Sequence, residues 1–253
     1  MYILGIETTG AFASVALMKD DELIGHVHGN DRFSHLQNLM PQVQQVVKGC
    51  KLSIDDIDAI AVSRGPGSFT GIRIGVSSAR ALSQMLDIPC VAVSSLEGLA
   101  MRAAERTLGA QGNATSCGSG DLVPDGTLIC PMLDARRSQI YAGGYFLEGG
   151  YPVEKIKAGP YMLDEFLSNA EGFDRILLLG DAIDTYGEKI KELRPEGTLT
   201  APQCIRYQYA VSVARLGTKI YGEEGGLSYN NVEPDYMRLA EAERKLREKQ
   251  RKG

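Results

Sequence analysis

Two short stretches combine residue types and spacings that could do chemistry. The first is Ser63-Arg64-Gly65-Pro66-Gly67-Ser68-Phe69-Thr70-Gly71-Ile72-Arg73, which places three glycines between an apolar run and an amphipathic one. A strand-to-helix turn of this kind can cradle an anion, because free N–H groups and the helix dipole converge on one spot. It fits neither common template. A G-x-G-x-x-G beginning at Gly65 would need glycine where Thr70 stands, and no Gly-Lys-Ser/Thr follows, as a P-loop requires. The structural alternative is that Gly65, Gly67 and Gly71 permit a tight turn while Ser68 or Thr70 caps the helix. The second stretch is Glu7-Thr8-Thr9-Gly10, an acidic residue and two hydroxyls at a strand end. It suits either a metal-bound phosphate or ordinary side-chain-to-backbone turn bonds.

Other chemistry finds little support. The three histidines are His26, His28 and His35; the first two alternate along a strand, and His35 is followed by Asn38 and Leu39 at the positions that share its helical face. A structural or surface role suits all three, and no metal site is expected. No nucleophile elbow G-x-S-x-G occurs. Asp134-Ala135-Arg136-Arg137 reads as a hairpin turn, a charged site or simply a surface turn. Five cysteines, Cys50, Cys90, Cys117, Cys130 and Cys204, are odd in number and contain no C-x-x-C, so they read as reduced cytosolic thiols.

The elements that must position these residues follow from periodicity. Tyr2–Glu7, Ala13–Met18 and Glu22–Gly29 form a strand meander separated by turn formers. Leu36, Leu39, Met40, Val43 and Val47 recur at helical spacing, with Pro41 expected to kink or restart the helix. Ile57–Ser63 is a strand, a second helix ends before Ile88-Pro89, and Cys90–Val93 is another buried strand. A Gly/Ser/Asn/Asp-rich loop over 107–126 is longer than most loops inside a compact unit, which places a boundary there. It divides a lobe at 1–106 from one at 127–235. The second lobe has strands at Leu128–Leu133, Gln139–Phe146, Val153–Lys157 and Arg175–Leu179, with helices at Leu163–Asn169, Ala182–Leu193 and Ala210–Tyr221. A meander followed by alternating helices and strands implies a mixed sheet with helical cover. Strands before helices, twice over, imply two lobes of related topology.

At 253 residues, 43% hydrophobic and 23% charged, the chain can bury a substantial core, so disorder and a disulfide scaffold are excluded. With no basic leader and no long apolar run, the expected location is the cytoplasm, with no membrane partner. The net charge of −5 argues against a protein that grips nucleic acid unaided. Residues 236–253 differ from the rest. Glu241 precedes Lys245, Glu243 precedes Arg247 and Glu248 precedes Lys252 by four, the favourable order for a solvated or docked helix. From Arg238 to Lys252 seven basic and three acidic residues give +4, leaving −9 on the body.

Four runs occur together and in order: Ile3-Leu4-Gly5-Ile6-Glu7-Thr8-Thr9, Gly65-Pro66-Gly67-Ser68-Phe69-Thr70-Gly71-Ile72-Arg73, Leu133-Asp134-Ala135-Arg136 and Glu233-Pro234-Asp235-Tyr236-Met237-Arg238. In combination they resemble the bacterial TsaB (YeaZ) family, densely over residues 1–105 and more thinly beyond. The resemblance implies an α/β actin-like ASKHA (ribonuclease H-like) fold of two lobes. It implies a part in making threonylcarbamoyladenosine beside the anticodon (position 37) of tRNAs reading ANN codons. In that pathway TsaD transfers the threonylcarbamoyl group, and TsaB, its Gcp-like non-catalytic paralogue, works with TsaD and the ATPase TsaE.

The same resemblance implies that ATP and a metal belong to partner subunits and that tRNA is met through the complex. Proteins of the TsaD type carry two histidines four apart on a first-lobe helix; here His35 is followed by Leu39. Gly180-Asp181 falls where related ATPases have paired glycines against adenine, and glycoprotease activity is not expected. Contact with TsaD is expected on helices Ser34–Val47 and Arg73–Leu86, through Leu36, Leu39, Met40, Arg73, Val76 and Arg80, with core and interface not yet separated among them. The same faces could pair two copies in isolation. The alternative is an autonomous actin-like ATPase or kinase using Glu7, Thr8 and Thr9 with Gly65, Gly67, Ser68, Thr70 and Gly71 as phosphate loops.

Overall fold

The computed structural model describes residues 1–29, 35–107, 123–194 and 196–237, without the side chains of His35, Leu36 and residues 105–107. Two five-stranded mixed sheets form its frame. The first contains β1 (Tyr2–Glu7), β2 (Ser14–Lys19), β3 (Glu22–His28), β4 (Ala59–Ser63) and β5 (Cys90–Val93), in the order β3-β2-β1-β4-β5. The meander is antiparallel, whereas β4 and β5 run parallel to β1. The inner strands are apolar on both faces, which requires cover on both sides.

One face is covered by α1 (His35–Gly49) and α2 (Phe69–Leu86). Leu39, Val43, Val46 and Val47 from α1, with Ile72, Val76, Ala79 and Leu82 from α2, pack on Leu4, Ile6, Val15, Leu17, Ile60 and Val62. These are the helical repeats read in the sequence, turned inward. Pro41 lies inside α1 without dividing it. The expected restart does not occur, because a single lost N–H in a fifteen-residue helix is outweighed by the row of buried side chains on either side of it.

The second sheet contains β6 (Leu128–Asp134), β7 (Gln139–Glu148), β8 (Tyr151–Met162), β9 (Ile176–Leu179) and β10 (Thr198–Thr200), in the order β10-β9-β6-β7-β8. Here too the first three strands are an antiparallel meander and the last two run parallel to the first. One topology is therefore used twice, as the repeated strands-then-helices pattern implied, and this is an α/β fold of the actin-like ASKHA class. Helices α4 (Leu163–Asn169) and α5 (Ala182–Leu193) cover one face of the second sheet.

Between the sheets lie two helices that pack on each other, α3 (Ser95–Thr107) and α6 (Ala210–Glu224). The chain exchanges them: α3 packs mainly on the second sheet, and α6, although it follows that sheet in sequence, packs on the first. Periodicity did not reveal α3. Leu96, Leu99, Ala100 and Ala103 face one cluster while Met101 and Ala104 face another, so no wide polar stripe marks the helix. Most of the 107–126 loop and the tail beyond Met237 lie outside the described residues. Cys50, Cys90 and Cys130 are free thiols, as expected, and Cys117 lies outside the described residues.

Candidate functional site

Glu7 ends β1 and is 1% exposed. Its Oε1 accepts hydrogen bonds from the Thr9 backbone N–H at 2.5 Å and the Thr9 hydroxyl at 2.6 Å. The Thr9 hydroxyl lies 2.9 Å from the Ser95 hydroxyl, which lies 3.1 Å from that of Ser63. Burial pushes the Glu7 carboxyl above the ordinary carboxylate range, against hydrogen bonds from Ser63, Thr9 and Gly10 that pull it down. Ser63, at the end of β4, opens the glycine-rich run, whereas Ser95, at the start of α3, was missed because 86 residues separate it from Thr9.

The two stretches singled out in the sequence meet face to face. The Thr8 hydroxyl donates to the Gly71 carbonyl at 2.7 Å, and the Ser68 N–H donates to the Thr9 carbonyl at 2.8 Å. Two glycines allow that approach: a Cβ at Gly67 would lie 2.6 Å from the Thr9 carbonyl oxygen, and one at Gly71 only 2.0 Å from that of Thr8. Ser68 caps α2 by accepting from the Gly71 N–H at 3.2 Å. The Gly65 carbonyl accepts from the Ser95 N–H, while Thr70 is exposed in the first turn of α2. The N–H groups of Thr9, Ser68 and Gly71 are thus each committed to a protein acceptor. These bonds mate the two loops directly to each other.

The terminal run joins the same place. The Asp235 N–H donates to the Arg64 carbonyl at 2.7 Å, and Val232 is buried in the first core cluster. Tyr236 stacks on Phe69 with ring centroids 4.9 Å apart, and its hydroxyl accepts from Arg73 Nε at 3.2 Å. Arg73 also lies over the Phe69 ring at 4.0 Å. Three of the four recognised runs therefore converge on the N-terminal end of α2.

The six interface candidates now separate. Leu39 is 1% exposed and belongs to the core, which corrects its placement among contact residues. Val76, at 2%, is core as well, yet its edge floors an open groove of about 720 Å³. Arg73, Ser77, Arg80, Ala81 and Gln84 form one wall of that groove, and Tyr229, Asn230 and Pro234 the other. Met40 is 37% exposed, and Phe69 and Met85, not singled out before, are exposed too. The Leu36 side chain lies outside the description.

The Asp134–Arg137 turn joins β6 to β7, far along the chain from these loops. Arg136, Arg137 and Ser138 all have positive φ, and the Asp134 carboxylate accepts from the Arg136 N–H and the Tyr186 hydroxyl. The Asp134 N–H in turn donates to Asp181 at 2.9 Å. Burial pushes the Asp181 carboxyl up to about 6, and the neighbouring charges of Asp134 and Asp184 add to that. Asp181 thus ties the turn to α5, and Asp184 on α5 pairs with Arg206 at 2.6 Å. Among the described residues, no group of three or more His, Cys, Asp or Glu side chains is arranged to hold a metal ion.

A family model described as TsaD, tRNA N6-adenosine threonylcarbamoyltransferase, matches residues 32–158. The Bacillus subtilis tRNA threonylcarbamoyladenosine biosynthesis protein TsaB is 32% identical over 252 residues, covering 99% of this chain and 100% of its own. The chain belongs to the TsaB (YeaZ) family. The Escherichia coli TsaB, 28% identical, is covered over 98% of its length. The crystal structure of YeaZ from Pseudomonas aeruginosa superposes with a TM-score of 0.75 at 23% identity, over 93% of this chain and 99% of that one, which supports the fold. Among the described residues, no helix is long and apolar enough to cross a membrane.

Proposed function

We propose that this chain acts in tRNA threonylcarbamoyladenosine biosynthesis, the process for which its TsaB relatives are named, as a non-catalytic scaffolding and activating subunit. In this reading it binds TsaD through the outer face of α1 and α2 and works with TsaE, while TsaD performs the transfer at adenosine 37. ATP and metal belong to those partners, and tRNA is held by the assembly. The observation that carries the reading is the mutual satisfaction of the two loops. Thr8 bonds Gly71, and Ser68 bonds Thr9, where an ATPase of this class would present free donors to phosphate. Leu39, four residues after His35, sits in the core. That position cannot supply a second metal ligand from the same helical face.

The test is reconstitution of tRNA modification from TsaD, TsaE, the adenylate-forming enzyme, threonine, bicarbonate, ATP and tRNA, with and without this chain. Modification that requires the chain supports the proposal, and equal rates without it refute it. Calorimetric titration of the isolated chain with Mg-ATP addresses the autonomous ATPase. Silence supports the subunit, whereas tight binding with turnover supports the enzyme.

A further inference from the structure

Arg73 and Arg80 project from one face of α2, seven residues and so about 10.5 Å of helix rise apart. Both line the groove that runs between this helix and the 229–234 segment. Its other lining residues are Val76, Ser77, Ala81, Gln84, Tyr229, Asn230 and Pro234, none of them acidic. Among the described residues, no carboxylate forms an ion pair with either guanidinium.

Arg73 is also fixed in orientation. Its guanidinium lies against the Phe69 ring at 4.0 Å, and its Nε is bonded to the Tyr236 hydroxyl. The two terminal nitrogens are left to form the fork that matches a carboxylate. Holding the side chain in advance reduces the ordering cost of binding. Val76, Ala81 and Pro234 give the lining an apolar share beside the uncharged polar Ser77, Gln84, Tyr229 and Asn230. Phe69 and Met85 are exposed, Met85 to 66%. Apolar residues with arginine and aromatic anchors mark a protein contact more than a nucleic-acid one.

We infer that this groove receives an acidic segment of the partner protein, with two carboxylates about 10 Å apart, as on residues seven apart in a helix, one on Arg73 and one on Arg80. The inference rests on the proposed function and gives its docking face a chemistry. Tyr236 is a positioning residue in it, acting through Arg73, so the segment that follows the groove's second wall helps set the geometry of the α2 face.

The experiment uses the full chain and TsaD from the same organism, with dissociation constants measured by calorimetry at several salt concentrations. The double variant Arg73→Glu with Arg80→Glu should weaken binding at least tenfold, and Arg73→Gln with Arg80→Gln should weaken it less and flatten its salt dependence. Tyr236→Phe, which keeps the stack and loses only the bond to Nε, should weaken binding severalfold. Circular dichroism of each variant should match the parent. An unchanged dissociation constant for the charge-reversed chain overturns the groove inference even if modification still requires the chain. Loss of tRNA affinity alone, or loss only of self-association, overturns it as well. If the unaltered chain is dispensable for modification, the functional reading itself falls.

Discussion

Replacing Gly71 by alanine tests the central packing claim with one methyl group. The added Cβ would lie 2.0 Å from the Thr8 carbonyl oxygen and 3.0 Å from its carbon, both backbone atoms that no rotamer change can move. The β1–β2 turn must therefore retreat from α2 by at least about 1 Å, which a close-packed interior resists. That retreat breaks the Thr8 hydroxyl bond to Gly71 at 2.7 Å and the Ser68 N–H bond to Thr9 at 2.8 Å. Two lost hydrogen bonds contribute about 1–3 kcal/mol and overpacking about 1–3 kcal/mol more, against a gain of about 1 kcal/mol in helix propensity. The expected net destabilisation is about 3 kcal/mol, which for a chain of this size lowers Tm by roughly 6–12 °C. The chain has no tryptophan, so far-UV circular dichroism during urea and thermal unfolding is the suitable assay. A variant as stable as the parent would refute the account of these loops as mated backbone.

The complementary change is Gly222→Ala in α6, where a Cβ meets nothing within 4 Å; it should raise stability by about 0.5–1 kcal/mol in the same urea titration, and a loss would contradict the packing of that helix. Glu7→Ala strands the Thr9 N–H and takes one of two partners from the Thr9 and Ser63 hydroxyls, which keep Ser95, and should cost about 1–3 kcal/mol, whereas Glu7→Gln keeps an oxygen for Thr9 and should cost clearly less; equal losses would mean that the network does not matter. Asp181 titrates at about 6 when folded against an ordinary 3.8, so the unfolded chain ionises first and native stability falls as pH rises between about 4 and about 6, then stays level. That fall amounts to roughly 3 kcal/mol, and Asp181→Asn should remove it while its amide oxygen still accepts from Asp134; urea midpoints across that pH range, with an unchanged slope in the variant, would sink the assignment.

Where a helix buries one face, as α1 and α2 do, its periodicity was legible in the sequence, and the two-sided strands β1 and β4 were legible as short apolar runs between turn formers. Periodicity failed for the helix whose burial is two-sided. Helix α3 is squeezed between both sheets, so Leu96 and Met101 serve different clusters and no polar stripe survives. Strand β10, three residues at a sheet edge, is too short for a repeat to register. Pro41 does not restart α1 for a related reason: the rule concerns one hydrogen bond, and continuity was decided by the buried valines and leucine around it.

The site was harder to read because its contacts span distances that no sequence window covers. Thr8 and Gly71 are 63 residues apart, Thr9 and Ser95 are 86, and Arg73 and Tyr236 are 163. The glycine pattern was read as an anion cradle or a tight turn, and the close approach that Gly67 and Gly71 permit is the same whether phosphate or protein backbone approaches. A helix N-terminus offers N–H groups to any electronegative oxygen. Here the Thr9 carbonyl takes the Ser68 N–H, the place a phosphate oxygen would hold. The anion-cradle and tight-turn readings of Gly65–Gly71 thus describe one geometry with two possible occupants, and the oxygen that fills it belongs to the strand-end turn beside it. The mated turns set the angle at which α2, and with it Arg73 and Arg80, faces outward.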